Sequence, residues 1–336
     1  MRYGDIWSEW SDSGEFSGVF SVGDGNGVVF EKSQGFRNRS ENLLNNRDTA
    51  FGIASGTKLF TGLAACKLID EGKLSLKSRI YDILPYDLGQ IDKNVSVYHL
   101  LTHTSGVGDY IDEESEDCEE QLQALYDKYP VQLWEQLEYY LQMITPLPPK
   151  FKPGERYSYS NSGFILLGLI IEAAGGISYR QFVNEAIILP CGLKHTGFYR
   201  ADSLPGNVAL GYMGSSDGLK TNVFNLPVLG GSDGGLYTCA DDLDKLWRAV
   251  FQGKIFSENM LTEFTKKQSE INETESYGLG VYRHETKNNL SFYAVGGDAG
   301  VDFFTAYSPQ QQIVFSALGN TNVNTYPLMK MMLREI

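Results

Sequence analysis

The sequence predicts a mixed α/β (α+β) fold, an antiparallel sheet flanked by helices with an all-helical lobe inserted between its early and late strands. Three observations predict it: two β-rich runs around a Gly/Asn turn open the chain, a long middle stretch repeats apolar residues at helical spacing, and further β-like runs close it. The opening pair is Phe16–Val22 and Gly27–Lys32 about the turn Asp24-Gly25-Asn26-Gly27. A helix beginning near Ser55 follows, with Leu59, Leu63, Cys66 and Ile69 on one face and Gly72 suited to end it. Between residues 76 and 239 helical patterns recur at Leu133–Leu141, Gly163–Ala174 and Tyr179–Ile188, separated by Gly/Pro loops. The apolar run Phe164–Ile171 is closed by Glu172, far short of the roughly 20 residues a membrane span needs, and reads as a buried core helix. A helix at Ala240–Phe251, β-like runs at Gly278–Tyr282, Leu290–Val295 and Gln312–Leu318, and a helix at Tyr326–Arg334 complete the pattern. The expected division is a discontinuous sheet domain of residues 1–75 and 240–336 around a helical domain of residues 76–239.

Charge narrows the partners. The 336 residues carry 42 Asp+Glu against 28 Lys+Arg, a net charge of −14, so most of the surface repels phosphate backbones and anionic lipid, and no nucleic acid partner is expected. The segment Met1–Glu9 has no apolar leader core; the expected compartment is the cytoplasm as the sequence is written, or the cell envelope or exterior if a leader preceded it. Cys66, Cys118, Cys191 and Cys239 lack zinc or disulfide spacing. The acidic cluster Asp112–Glu120 reads as a solvated loop or helix end, with an electrostatic filter beside a cleft as the alternative.

Three segments carry candidate chemistry. Ser55 and Lys58, three apart at a helix start, share a face, and a lysine held neutral by burial can take a proton from a serine hydroxyl. In Tyr157-Ser158-Tyr159-Ser160-Asn161, Tyr159 can shuttle a proton if Lys58 lowers its phenol pKa, and the Asn161 amide can bind a substrate amide. The turn Ala294-Val295-Gly296-Gly297-Asp298-Ala299-Gly300 lets backbone approach closely, so the Gly297 N–H paired with the Ser55 N–H can form an oxyanion hole.

In order and in flanking sequence these segments resemble the penicillin-recognising serine hydrolases, the branch that holds class C β-lactamases, D-alanyl-D-alanine carboxypeptidases, D-aminopeptidases and esterases. The blocks are Phe51–Thr61, His99–Gly106, Pro153–Asn161, Gly234–Leu243, the 294–300 turn and Leu318–Asn322. The resemblance implies a β-lactamase/transpeptidase-like fold and an ester or amide hydrolase. In it Ser55 is acylated, Lys58 activates it, Tyr159 is general base and then acid, and Asn161 binds substrate. No metal or other cofactor is implied, and the partner is a small-molecule or peptide substrate. The family begins its third motif with Lys or His, whereas Ala294, Val295 and Gly296 stand here. The missing cation weighs against efficient β-lactam or D-Ala-D-Ala hydrolysis and towards neutral esters, amides or amine-bearing peptides, unless Arg283 or His284 supplies the charge. The rival reading is a penicillin-binding or regulatory module of the same fold with little turnover. Gly230-Gly231-Ser232-Asp233-Gly234 spells a nucleophile elbow, but only His284 lies downstream and Pro227 interrupts the approach. His99 and His103 lack a companion Glu and a third ligand, which leaves His103 a structural hydrogen-bonding role.

Overall fold

The computed structural model describes residues 3–11, 16–214 and 218–335. An eight-stranded antiparallel sheet is built from β1 (Gly18–Asp24), β2 (Gly27–Gln34), β3 (Ser269–Glu270), β4 (Glu275–Tyr277), β5 (Tyr282–Glu285), β6 (Leu290–Asp298), β7 (Val301–Ser308) and β8 (Ile313–Gly319), in the order β2-β1-β8-β7-β6-β5-β4-β3. The first hairpin therefore joins the late strands through β1 and β8, with Val19 opposite Leu318.

The period of two along each strand sorts side chains to two cores. Val19, Phe303, Val314 and Leu318 enter one core, whereas Phe20, Val22, Phe304 and Phe315 enter the other. The second core is roofed by α1 (Tyr3–Ser11) and the carboxy-terminal helix Tyr326–Glu335, through Trp7, Trp10, Leu328 and Met332. The first core holds α2 (Thr57–Asp70), α4 (Asn161–Gly175) and α5 (Ala240–Phe251); α3 (Cys118–Lys128) packs at its margin through Leu125 and Tyr126. Helix α4 starts where the Ser160 hydroxyl accepts the Gly163 N–H at 3.0 Å and ends at Gly176 with φ 74°, and its run Phe164–Ile171 is wholly buried.

Several elements differ from expectation. Of the segment expected as strand 278–282, residues 278–281 are the turn between β4 and β5, which must clear α2, and Tyr282 opens β5. A Cβ on Gly280, at φ 94°, would lie 2.7 Å from the Gly62 Cα, and one on Gly62 would lie 2.6 Å from the Leu279 carbonyl oxygen. Strand β6 runs on through Asp298, so most of the expected 294–300 turn is strand, and β7 has no counterpart in the sequence reading. The pattern at 133–141 is two 3-10 turns, Val131–Leu133 and Leu137–Tyr140, separated by extended backbone at Trp134 and Gln136. Its buried residues Val131, Trp134, Leu137 and Tyr140 recur every three positions, the spacing of 3-10 structure. The pattern at 179–188 is an α-helix to Val183 continued by a π turn over Asn184–Ile188. Helix α1 was also not anticipated.

Gly62→Val would drive a branched side chain into the 279–280 backbone. The expected cost is about 1–3 kcal/mol, read as a lower urea midpoint with an unchanged m-value; an unchanged midpoint would mean the turn moves freely away from α2.

Candidate active site

Ser55 lies in the 3-10 turn Ala54–Gly56 that leads into α2, directly after Ala54 at φ 44°, a conformation costly for a residue with a Cβ. The Thr57 hydroxyl donates to the Ala54 carbonyl at 2.8 Å and accepts the Leu236 N–H at 3.0 Å, and the Ile53 N–H donates to the Leu236 carbonyl at 2.9 Å. These bonds hold the turn against the 230–237 loop. The end of β6 crosses it just as closely, since a Cβ on Gly296 would lie 2.1 Å from the Ile53 carbonyl oxygen and 2.9 Å from the Ser55 nitrogen.

The four expected side chains converge. Ser55 Oγ is 2.9 Å from Lys58 Nζ and accepts the Tyr159 hydroxyl at 2.7 Å; Lys58 Nζ also donates to Asn161 Oδ1 at 2.7 Å and to the Asp233 carbonyl at 2.7 Å. Lys58 is 3% exposed, and burial lowers its amine from the usual lysine value, against the raising influence of Asp233, Glu113, Asp109 and Asp298. The expectation of a lowered Tyr159 phenol is corrected here: burial, then the nearby Glu113 carboxylate, push it well above the usual tyrosine value. The phenol therefore keeps its proton and donates it to Ser55 Oγ. An uncharged Lys58 fits the remaining roles, with two N–H groups for the two carbonyl oxygens and a lone pair for the Ser55 hydroxyl.

A ring of carboxylates surrounds the quartet; the sequence reading missed Asp109 and Asp233 and gave Glu113 only as part of the acidic cluster, whose alternative reading was a filter beside a cleft. Both Asp109 oxygens accept backbone N–H groups at the start of α4, from Ser162 and Asn161, each at 2.8 Å; burial nevertheless raises its carboxyl to about 7. Glu113 Oε1 accepts Asn161 Nδ2 at 2.9 Å, which fixes the amide orientation, and the Asp233 carboxylate accepts the Tyr110 hydroxyl. Glu113 belongs to the acidic cluster. Glu114 also lines the groove at Ser55 and accepts the Ser158 hydroxyl at 2.8 Å, and Asp112 is paired with Lys150 at 2.9 Å, whereas Glu116 and Glu120 are exposed as the solvated-loop reading expects; the Glu119 side chain lies outside the described residues. His103, at φ 55°, accepts the Ser160 N–H on Nδ1 at 3.0 Å, and its ring lies 4.6 Å from that of Tyr159. His99 Nδ1 meets Ser96 in a capping box. Ser232 is buried, and its carbonyl accepts the Thr61 hydroxyl at 2.6 Å, so the elbow-like string is a support for α2.

The β-lactamase family model matches residues 9–331. The chain belongs to the β-lactamase family. A penicillin-binding protein of Bacillus subtilis is 28% identical over 79% of this chain and 59% of its own length, so the chain spans under two thirds of that relative. The teichoic acid D-alanine hydrolase of Staphylococcus aureus is 27% identical over 94% of this chain and 74% of its own length. The crystal structure of a penicillin-binding protein from Bacillus halodurans superposes with a TM-score of 0.90 at 35% identity, covering 99% of each chain. The fold expected from the motifs is thus the fold of the family.

Against that family pattern the third motif lacks its cation in space as well as in sequence. Ala294 is 6% exposed, pairs with Thr305 and belongs to the first core with Phe292; it meets the site only at a small hollow shared with Lys58 and Tyr159. Val295, Gly296 and Gly297 line an open groove beside Ser55. Arg283 is bound by Glu285 at 2.6 Å and His284 has a half-buried ring with a lowered pKa; neither lines a cavity at Ser55. Among the described residues Lys58 is the one lysine or arginine lining these cavities, while Glu113, Asp233 and Asp298 supply negative charge.

If Lys58 must be uncharged to accept the Ser55 proton, its neutral fraction grows with pH. The rate kcat/KM is then expected to rise with pH and level off at an apparent pKa below 10.5, and Lys58→Arg, which stays protonated, is expected to remove the rise with the activity. A flat acid limb in the wild type would oppose this assignment.

Proposed function

We propose that this member of the β-lactamase family is a serine hydrolase that cleaves an ester or amide through an acyl-enzyme on Ser55 and prefers an acyl donor bearing an ammonium group to one bearing a carboxylate. The observation that carries the reading is the Ser55 hydroxyl lodged between the Lys58 amine and the Tyr159 phenol. Ser55 Oγ attacks the carbonyl carbon as Lys58 takes its proton, and the resulting oxyanion is met by the Ser55 and Gly297 N–H groups. Tyr159 protonates the departing heteroatom and recovers a proton from Lys58. Water then attacks the acyl-enzyme, its proton passing through the same pair as Ser55 Oγ leaves and is reprotonated.

The preference follows from charge. A charge-assisted hydrogen bond to a substrate carboxylate is worth about 1.5–3 kcal/mol, roughly ten- to a hundredfold in binding, and no third-motif cation is present to make it. Glu113 and Asp298 instead suit an ammonium, the group borne by D-alanine, which the Staphylococcus aureus relative is named for hydrolysing.

A fluorophosphonate is expected to give a single adduct by intact mass that Ser55→Ala abolishes. D-Alanine p-nitrophenyl ester is expected to exceed nitrocefin in kcat/KM by about tenfold or more, with Glu113→Gln narrowing the gap. Faster nitrocefin turnover would overturn the charge preference, and absence of any adduct would favour a binding module.

A further inference from the structure

Ser55 stands where two cavities of different character meet, and the catalytic groups are sorted between them. Tyr159 lines an open groove of about 670 Å³ and not the second cavity. Asn161 lines that second, more enclosed cavity of about 330 Å³ and not the groove. A leaving group has to lie against the group that protonates it, so the groove beside Tyr159 takes the leaving group and the enclosed cavity takes the acyl group. This assignment rests on the acyl-enzyme reading above.

The acyl cavity has a charged mouth and an apolar interior. Glu113, Gly297 and Asp298 line both spaces, as Ser55 does, which places the two carboxylates at the junction beside the reacting carbonyl. Deeper in, α3 presents Cys118, Leu122 and Tyr126, four residues apart on one helix face, towards Tyr110 and Tyr140. The opposite face of α3, with Glu120, Ala124 and Asp127, is exposed. Among these interior walls the Asp233 carboxylate is already engaged by the Tyr110 hydroxyl.

We propose that the acyl group is an α-aminoacyl group with a large apolar or aromatic side chain: the ammonium, one bond from the carbonyl's neighbouring carbon, sits between Glu113 and Asp298, and the side chain fills the cavity walled by Leu122 and Tyr126. A methyl side chain would leave most of about 330 Å³ without contacts, and an apolar space too poorly filled forfeits its dispersion energy. Leu122 and Tyr126 are thus the residues that set side-chain size.

The test is a series of D-alanine, D-leucine and D-phenylalanine p-nitroanilides with the full chain. The expected result is a kcat/KM for D-phenylalanine about tenfold or more above that for D-alanine. Leu122 lies on a partly exposed helix face, so Leu122→Trp can be accommodated in the fold; by filling the cavity it is expected to bring the D-phenylalanine to D-alanine ratio to one or below. Tyr126→Ala is expected to shift the preference towards the largest side chains. A wild-type ratio at or below one, or a ratio that Leu122→Trp leaves unaltered, would overturn the assignment. If D-alanine p-nitrophenyl ester acylates Ser55 while the anilide series is flat, only the size assignment falls; if fluorophosphonate and ester both leave Ser55 unmodified, the acyl-enzyme reading falls with it.

Discussion

The site depends on the requirement that the Lys58 amine, removed from water, find a partner for every polar direction. A buried ammonium without partners costs several kcal/mol even after relaxation, and a neutral amine still needs acceptors for its N–H groups. The partners come from three places: Ser55 one helical turn away, Asn161 at the start of α4, and the carbonyl of Asp233 in a glycine-rich loop. Satisfying one nitrogen therefore fixes the spacing of α2, α4 and that loop. Gly296 completes the arrangement, because only a residue without a Cβ lets the sheet edge pass over the Ser55 turn. The geometry of the candidate site and the packing of the fold are here the same constraint.

The surrounding charges act on that nitrogen in opposition. Burial favours loss of its proton, while Asp233, Glu113, Asp109 and Asp298 favour its retention. Asp109 is itself partly discharged by burial despite two backbone N–H donors, which softens the pull. A lysine or histidine at the start of the third motif would have pushed the balance further towards the neutral amine. With Ala294 there, the acidic lining and the burial of Lys58 are left to set it between them.

The sequence made the reactive groups legible because each sits at a local landmark. Ser55 and Lys58 are joined by helix geometry, and Tyr159 precedes, and Asn161 opens, a strongly apolar helix with a serine cap. Their convergence across the chain was legible only through resemblance to a family. Asp109 and Asp233 escaped because they lie in loops, where no period announces which way a side chain points; Glu113 was visible only as one acid in a cluster whose direction the sequence left open, between solvent and a cleft. In the fold, β7 escaped because Val301–Ser308 is a central strand buried on both faces, so its apolar residues do not alternate cleanly. Residues 278–281 misled in the opposite sense, their apolar side chains filling a turn in which contact with Gly62 requires Gly280.

The aromatic plate beneath Tyr159 has a consequence of its own. His103 is enclosed by the rings of Tyr159, Phe164 and Tyr277, and its proton affinity is held well below the ordinary imidazole value by burial and then by Lys58. Mild acidification, which charges most histidines, leaves this one unchanged, since charging it would first require prying apart the stack. The ring beneath Tyr159 is therefore insulated from the medium, and sensitivity to weak acid belongs to the carboxyls around Lys58, with Asp109, raised by burial to about 7, taking up a proton ahead of Asp298 at the rim, raised to about 6.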